Sequence, residues 1–179
     1  LRPGLLDRLL VDRPDRSTCS SSHPAALAAY GRRGMIPRWR LRYLRGVVPE
    51  VRSASPARRA DAADLGCTRP ELLALLDVVG AERWVLPGGG AAVRVEADGC
   101  HHVLWAATDG DHRHAVLALW AAMPAGAPLL AHVPDWSAAA GLLDDAGFTE
   151  VDADTWCSTS EQEAVCSART LGVHPGLAA

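Results

Sequence analysis

The residues with the most obvious chemistry in this chain are seven histidines and five cysteines. Their spacing supports little of it. His101 and His102 are neighbours in a predicted strand, so they face opposite ways. His112 and His114 fall on different sides of a predicted helix. Neither pair has ligand geometry, and no HExxH pattern or cysteine partner accompanies them, which argues against a metal site. Gly88-Gly89-Gly90 lacks the Lys and Ser/Thr of a phosphate loop and reads as a turn. No Cys–His or Ser–His pairing sits in a motif, so covalent catalysis has no support. All 18 basic residues besides histidine are arginines. That excludes a Walker-type lysine, a Schiff base and a lysine general base.

Composition sets the frame for these side chains. At 179 residues, 49% of them apolar, the chain has the length of one domain or one and a fraction. No apolar run approaches the roughly 20 residues of a membrane span, and no signal-peptide pattern is visible at the start. Cys19, Cys67, Cys100, Cys157 and Cys166 are odd in number and form no CxxC pair, which suits a reducing cytoplasm. Charge is lopsided. Residues 1–59 carry 13 Arg against Asp7, Asp12, Asp15 and Glu50, and residues 60–179 carry 5 Arg against 17 acids. The arginines could meet a polyanion, but no nucleic-acid motif accompanies them. The favoured reading is that the two parts neutralise each other, or that the exposed strand face 38–42 is simply solvated.

One unit of local structure occurs twice. In His23–Met35, Pro24 suits a first helical turn, Ala25 to Arg33 are mostly helix formers, and Gly34 supplies a left-handed stop. A strand follows in which Trp39, Leu41 and Tyr43 alternate with Arg38, Arg40 and Arg42. The same grammar returns with Asp135 as cap, a helix from Trp136 to Asp145, Gly147 as stop and Phe148 leading into a strand. Setting Gly34 on Gly147 places Ala25 on Ala138, Ala26 on Ala139, Met35 on Phe148 and Tyr30 on Leu143. The first copy alone keeps a hydroxyl at that position.

Taken in order, residues 1–46 read as helix, strand, helix, strand, too little to bury a core alone. Residues 47–60, rich in Pro, Ser and Arg, read as a linker. Residues 61–179 read as two short helices, then β-β-β-α-β-α-β: strands at 84–86, 91–97 and 101–107, a helix capped by Asp109 or Asp111 and running to Met123, a buried strand 129–133, the helix 136–145, a strand from Phe148, and a last strand within Val165–Leu171. That order predicts an α/β fold with a mixed sheet, an antiparallel meander followed by a right-handed crossover. Residues 50–179 are expected to form the stable part. The six tryptophans read as core.

The meander, the later α-β-α-β and the run Tyr30-Gly31-Arg32-Arg33-Gly34-Met35 resemble the GNAT acetyltransferase superfamily, whose motif B ends a helix with Tyr, then Gly four residues on, then an aromatic. Met35 replaces that aromatic. Trp136–Phe148 resembles a second motif B, as in the tandem-GNAT type. The resemblance implies the C-terminal part of a first GNAT domain in residues 1–46 and a second, degenerate one in 61–179. It implies transfer of an acetyl group from acetyl-CoA, as cosubstrate and without a metal, to a primary amine by direct attack. Tyr30 would be the catalytic general acid that protonates the departing thiolate. Gly4 would be the last residue of a phosphate cradle that begins upstream of Leu1. In the second copy that slot holds Thr108-Asp109-Gly110-Asp111, with carboxylates where phosphates would sit. The acceptor would be a small-molecule or peptide amine. No membrane or nucleic-acid partner is implied, and a homodimer is left open. The competing expectation is a non-catalytic GNAT-like module for substrate enclosure, dimerisation or regulation.

Overall fold

A computed structural model describes residues 18–61, 76–159 and 170–173. The strands are β1 (Thr18–Ser21), β2 (Ile36–Val47), β3 (Arg58–Arg59), β4 (Glu82–Leu86), β5 (Gly89–Val95), β6 (His101–Thr108), β7 (Pro128–Pro134), β8 (Thr149–Ser158) and β9 (Thr170–Val173). The helices are α1 (Pro24–Gly31), α2 (His112–Ala122) and α3 (Ala138–Asp145). The strands form one mixed sheet in the order β1-β8-β2-β7-β6-β5-β4-β3, and β9 pairs with β6. Every adjacent pair is antiparallel except β6–β7, which are joined through α2. The α/β class, the meander β4–β5–β6 and the β-α-β-α-β that follows agree with the sequence reading.

Several local expectations shift. Helix α3 begins two residues later than its pattern suggested: Ser137, not Asp135, is the cap, and its hydroxyl accepts from the Ala139 N–H. Trp136 therefore precedes the helix and is 44% exposed rather than core. Gly89 and Gly90 belong to β5, and the turn is confined to residues 87–88. Gly89 has no room for a side chain, because a Cβ there would meet the Ala107 carbonyl oxygen at 2.0 Å. The linker contains β3. The helix expected from Pro70 lies mostly outside the described residues.

The largest difference concerns β2. Residues 50–179 were expected to hold a sheet of their own, yet the strand between β7 and β8 is β2. Leu41 and Leu44 of β2 are fully buried. Leu44 joins the main core with Val103, Ala131, Val133, Leu119, Trp120, Leu143 and Phe148, packed beneath α2 and α3. Gly46 of β2 lets the Phe148 ring lie against the backbone, where an added Cβ would come within 2.7 Å of it. So the first part of the chain borrows its neighbours from the second, and the second borrows its central strand from the first.

The repeat seen in the sequence is a symmetry of the sheet. The offset that takes Gly34 to Gly147 takes β1 into β7, α1 onto α3 and β2 onto β8. Applied to the β2–β8 ladder, it exchanges Ile36↔Ser158 with Arg45↔Thr149, Trp39↔Trp156 with Tyr43↔Asp152, and Pro37↔Cys157 with Leu44↔Glu150. Leu41↔Asp154 maps onto itself. Two register shifts, at Pro37/Trp39 and Tyr43/Leu44, are also exchanged. An antiparallel ladder can carry such a two-fold axis through its centre. The flanking pairings, β1–β8 and β2–β7, correspond with a slip of one residue.

Candidate functional site

Helix α1 starts and stops by local chemistry. The His23 ring nitrogen Nδ1 accepts from the Ala25 N–H at 3.2 Å, and Pro24 follows at the position where no donor is needed. At the other end Gly34, with φ of +79°, closes two bonds: its N–H to the Gly31 carbonyl and the Met35 N–H to the Tyr30 carbonyl. The second copy repeats them with Gly147 at φ +82°, its N–H on Asp144 and the Phe148 N–H on Leu143. These stops put Tyr30 in the last turn of α1, 8% exposed, in a small cluster with Met35 and Cys157. Burial pushes the Cys157 thiol pKa up. The corresponding residues of the second copy, Leu143, Phe148 and Leu44, belong to the main core. Gly4 lies outside the described residues.

The N-terminus of α2 does not fit a phosphate. The Asp111 carboxylate already accepts from the Arg113 N–H at 2.8 Å and the His114 N–H at 3.4 Å. Those are the donors a phosphate would use. The preceding turn is tied to the meander. Thr108 Oγ1 donates to the Pro87 carbonyl and accepts from the Gly110 N–H, and the Asp109 N–H reaches the Gly88 carbonyl. Gly88 sits so close to Gly110 that a Cβ would lie 2.9 Å from the Gly110 nitrogen. The sequence expectation that this slot repels phosphate rests on the charges of Asp109 and Asp111, and Asp111 is the residue that caps α2 here.

A line of polar side chains crosses the sheet, and the sequence did not mark it. Asp154 of β8 accepts from Ser20 Oγ of β1 at 2.9 Å and from the Tyr43 hydroxyl of β2. The Tyr43 ring meets His132 of β7 edge-on, centroids 4.2 Å apart. His132 Nδ1 lies 3.4 Å from His102 Nε2 on β6, and both rings are buried. His102 Nδ1 lies 3.6 Å from the Glu96 carboxylate, which Arg94 also binds. Burial, and secondarily the bond to Asp154, push the Tyr43 pKa up, so the phenol stays a donor. Burial lowers the His102 pKa against the opposing pull of Glu96. Arg94 holds Glu96 below the usual carboxylate range. His101 and His102 do face opposite ways, as the sequence reading held, but the partner of His102 is His132, thirty residues on. Beside this line Trp39 stacks on Trp156 at 5.7 Å and meets Trp136 edge-on at 5.9 Å. Among the described residues, no three His, Cys, Asp or Glu side chains come together as a metal site, and no helix is long and apolar enough to cross a membrane.

The uneven charge pairs off across the same sheet. Arg40 and Arg42 bind Glu150, Arg42 also takes Asp144 of α3 with two bonds of 2.8 and 2.9 Å, and Arg59 binds Glu82. Arginines of the basic part thus meet acids of the acidic part, one of the two arrangements that the composition left open.

The fold so described is that of known acetyltransferases. A proposed acetyltransferase from Pyrococcus horikoshii superposes on 96% of this chain with a TM-score of 0.59 at 13% identity, and the match covers 63% of that protein. A GCN5-related N-acetyltransferase from Anabaena variabilis matches 87% of this chain with a TM-score of 0.56 at 12% identity, over 48% of its own length. The chain therefore spans between about half and two thirds of these structures. At such identity the likeness establishes the fold alone. No family profile and no curated protein matches the sequence.

Proposed function

We propose that this chain belongs to a two-unit, GNAT-type N-acetyltransferase, in which acetyl-CoA is bound by the first unit and the second is a structural partner. The observation that carries this reading is the two-fold repeat lying across an acetyltransferase fold. A first unit of the same design would need counterparts of β4, β5 and β6, which in this reading would precede Leu1. The remaining part of the cosubstrate cradle, ending at Gly4, would be found there. The second unit has a self-capped helix N-terminus and Leu143 in place of a hydroxyl.

In this reading the substrate amine, of a small molecule or a peptide, attacks the thioester carbonyl. The carbon–sulfur bond breaks, the thiolate leaves with a proton from Tyr30, and the nitrogen gives up a proton to solvent, from which the phenolate regains its own. The phenol sits at the end of a helix stopped by Gly34, so its position is set by backbone bonds rather than by a flexible loop. The reaction uses no metal, and the free thiols at Cys100 and Cys157 suit a cytoplasmic setting. The self-capped α2 favours a second reading, in which this chain is a non-catalytic partner throughout.

Titration with acetyl-CoA separates the two. The 179 residues alone should bind it weakly or not at all. The same chain carrying the reading frame ahead of Leu1 should bind it and acetylate an amine panel. There Tyr30→Phe should leave binding intact and lower turnover by about a hundredfold or more. Unchanged turnover would remove Tyr30 from the mechanism, and an extended chain without any binding would favour the partner reading.

A further inference from the structure

Two imidazoles meet inside the sheet where its halves join. Strand β7 holds β2 through seven residue pairs but β6 through three, from His101↔Leu129 to Val103↔Ala131. At that short junction His132 of β7 sets its Nδ1 3.4 Å from Nε2 of His102 on β6. The rings, His132 at 4% and His102 at 8% exposure, meet edge-on with centroids 4.9 Å apart. Such a contact holds only with a single proton between the two nitrogens, so that one donates and the other accepts.

The surroundings decide which ring does which. The Glu96 carboxylate lies 3.6 Å from His102 Nδ1 and can only accept. Neutral His102 therefore carries its hydrogen on Nδ1 and offers a lone pair at Nε2, and His132 Nδ1 is the donor. A first extra proton can go to His132 Nε2 and leave the contact intact. A second has to go to His102 Nε2, where one N–H faces another and two buried cations stand side by side. The charged and titratable groups around the pair do not relieve this. Arg94, opposite His102 in the β5–β6 ladder, is itself a cation and is bound to Glu96. Cys100, two residues before His102, is kept a neutral thiol by burial. From β2 the Tyr43 ring lies against His132, and its hydroxyl is given to Asp154 of β8. Asp152, the preceding acid of β8, is exposed. Burial, against the pull of Glu96, holds the His102 pKa below its ordinary value.

We propose that the His102–His132 contact is an acid-operated latch, which holds β6 to β7 while the pair carries at most one extra proton and on acidification lets the sheet loosen first at His101–Val103. The halves that it joins are the meander β4–β6 on one side and β7, β2 and β8 on the other. This inference does not depend on acetyl-CoA binding, and it holds or fails separately from the proposed transferase activity.

The test follows the histidine Cε1–H resonances and the amide protection of the full chain as the pH is lowered. His102 should show no titration midpoint while the fold lasts. Protection at His101–Val103 and Leu129–Ala131 should fall below about pH 6, while that of the β2–β8 ladder holds. A second arm compares the native chain with His102→Gln and His132→Gln together, since glutamine keeps a donor and an acceptor but takes no proton. The unfolded chain protonates both imidazoles near pH 6.5, and the fold accepts one at most. The native unfolding constant, relative to that of the variant, should therefore rise about fivefold between pH 6.5 and 5.5. Both rings titrating near pH 6.5 in the intact fold would overturn the proposal, as would a ratio of unfolding constants that does not change with pH. Protection lost first in the β2–β8 ladder would overturn it too. The resonances and protection of the native chain decide the case even if the glutamine variant does not fold.

Discussion

The two copies of the helix-stop-strand unit share a backbone and differ in what they are built against. Around α3, Leu143 and Phe148 merge with Leu44, Trp120 and the underside of α2 into the main core. Around α1, Tyr30 and Met35 meet Cys157 in a cluster of their own. The copies have the same stop, with glycines at φ +79° and +82° and the same pair of closing bonds. Backbone geometry was therefore retained while the side chains diverged. A stop of this type depends on a residue without a Cβ, whereas the residue packed under it needs only to fill its space. The phenol at Tyr30 is thus a choice the fold does not force, since leucine serves at the equivalent place. That difference is what makes a chemical role for Tyr30 worth testing.

The largest effect should come from separating the copies. A chain of residues 50–179 loses the strand between β7 and β8, with Leu41 and Leu44, and is expected to melt without cooperativity or to aggregate. A sharp thermal transition near that of the full chain would mean that the second unit closes its sheet without β2.

Smaller changes probe each copy in place. Phe148→Ala removes a ring stacked on Trp120 in the main core, and should cost about 3–5 kcal/mol. Met35→Ala, its counterpart, should cost less in a denaturant titration, because its cluster is small and the neighbouring side chains can collapse into the space. A Met35→Ala loss larger than that of Phe148→Ala would place the weight of the fold on the first copy.

The residues astride the two-fold axis come next. Tyr43→Phe leaves Asp154 with Ser20 alone and should cost about 1–3 kcal/mol at neutral pH. Because the Tyr43 pKa is raised in the fold, its contribution is complete below the unfolded value of about 10 and is lost as pH rises past it. Native stability should fall more steeply above pH 10 than that of Tyr43→Phe. Parallel curves would mean that the phenol is no harder to ionise in the fold than out of it.

The smallest effect should be at Glu150, which Arg42 first and then Arg40 hold below the usual carboxylate range. Its stabilisation is present above the unfolded pKa and disappears as pH falls through the lower, folded one. Glu150→Gln should cost at most about 1 kcal/mol near pH 7 and flatten the acid limb of the stability curve. An acid limb indistinguishable from the native one would show that this pair contributes nothing measurable.

What could be read from the sequence was what is local. Gly34 and Gly147 announce their stops because only a residue without a Cβ takes that backbone cheaply, and the meander shows in turn residues and alternation. The centre of the sheet could not be read in the same way. Nothing near Leu41 says that its neighbours will be Pro134 on one side and Asp154 on the other, more than ninety residues away. The polar line from Ser20 to Glu96 was hidden for the same reason, since Ser20, Asp154, Tyr43, His132 and His102 come from five different strands and Glu96 from the turn after β5. The register shifts hid it further, because at Tyr43/Leu44 successive side chains serve different neighbours: His132 and Asp154 for the first, the main core for the second. Helix α3 was misplaced by two residues because Asp135 and Ser137 are both good caps, and the choice between them belongs to the packing of Ser137, which is buried.

The position of β2 also bears on how the chain must be made. A ribosome working at about 5–20 residues per second releases β2 roughly 4–17 s before β7 is complete, and β8 later still. For that interval the strand destined for the middle of the sheet has no native neighbour to pair with. Arg38, Arg40, Arg42 and Arg45 then act as its guard, because a strand that carries a positive charge at nearly every second residue repels copies of itself on neighbouring nascent chains. Two of them, Arg40 and Arg42, are later neutralised at Glu150 and Asp144, when the partner strand and helix arrive.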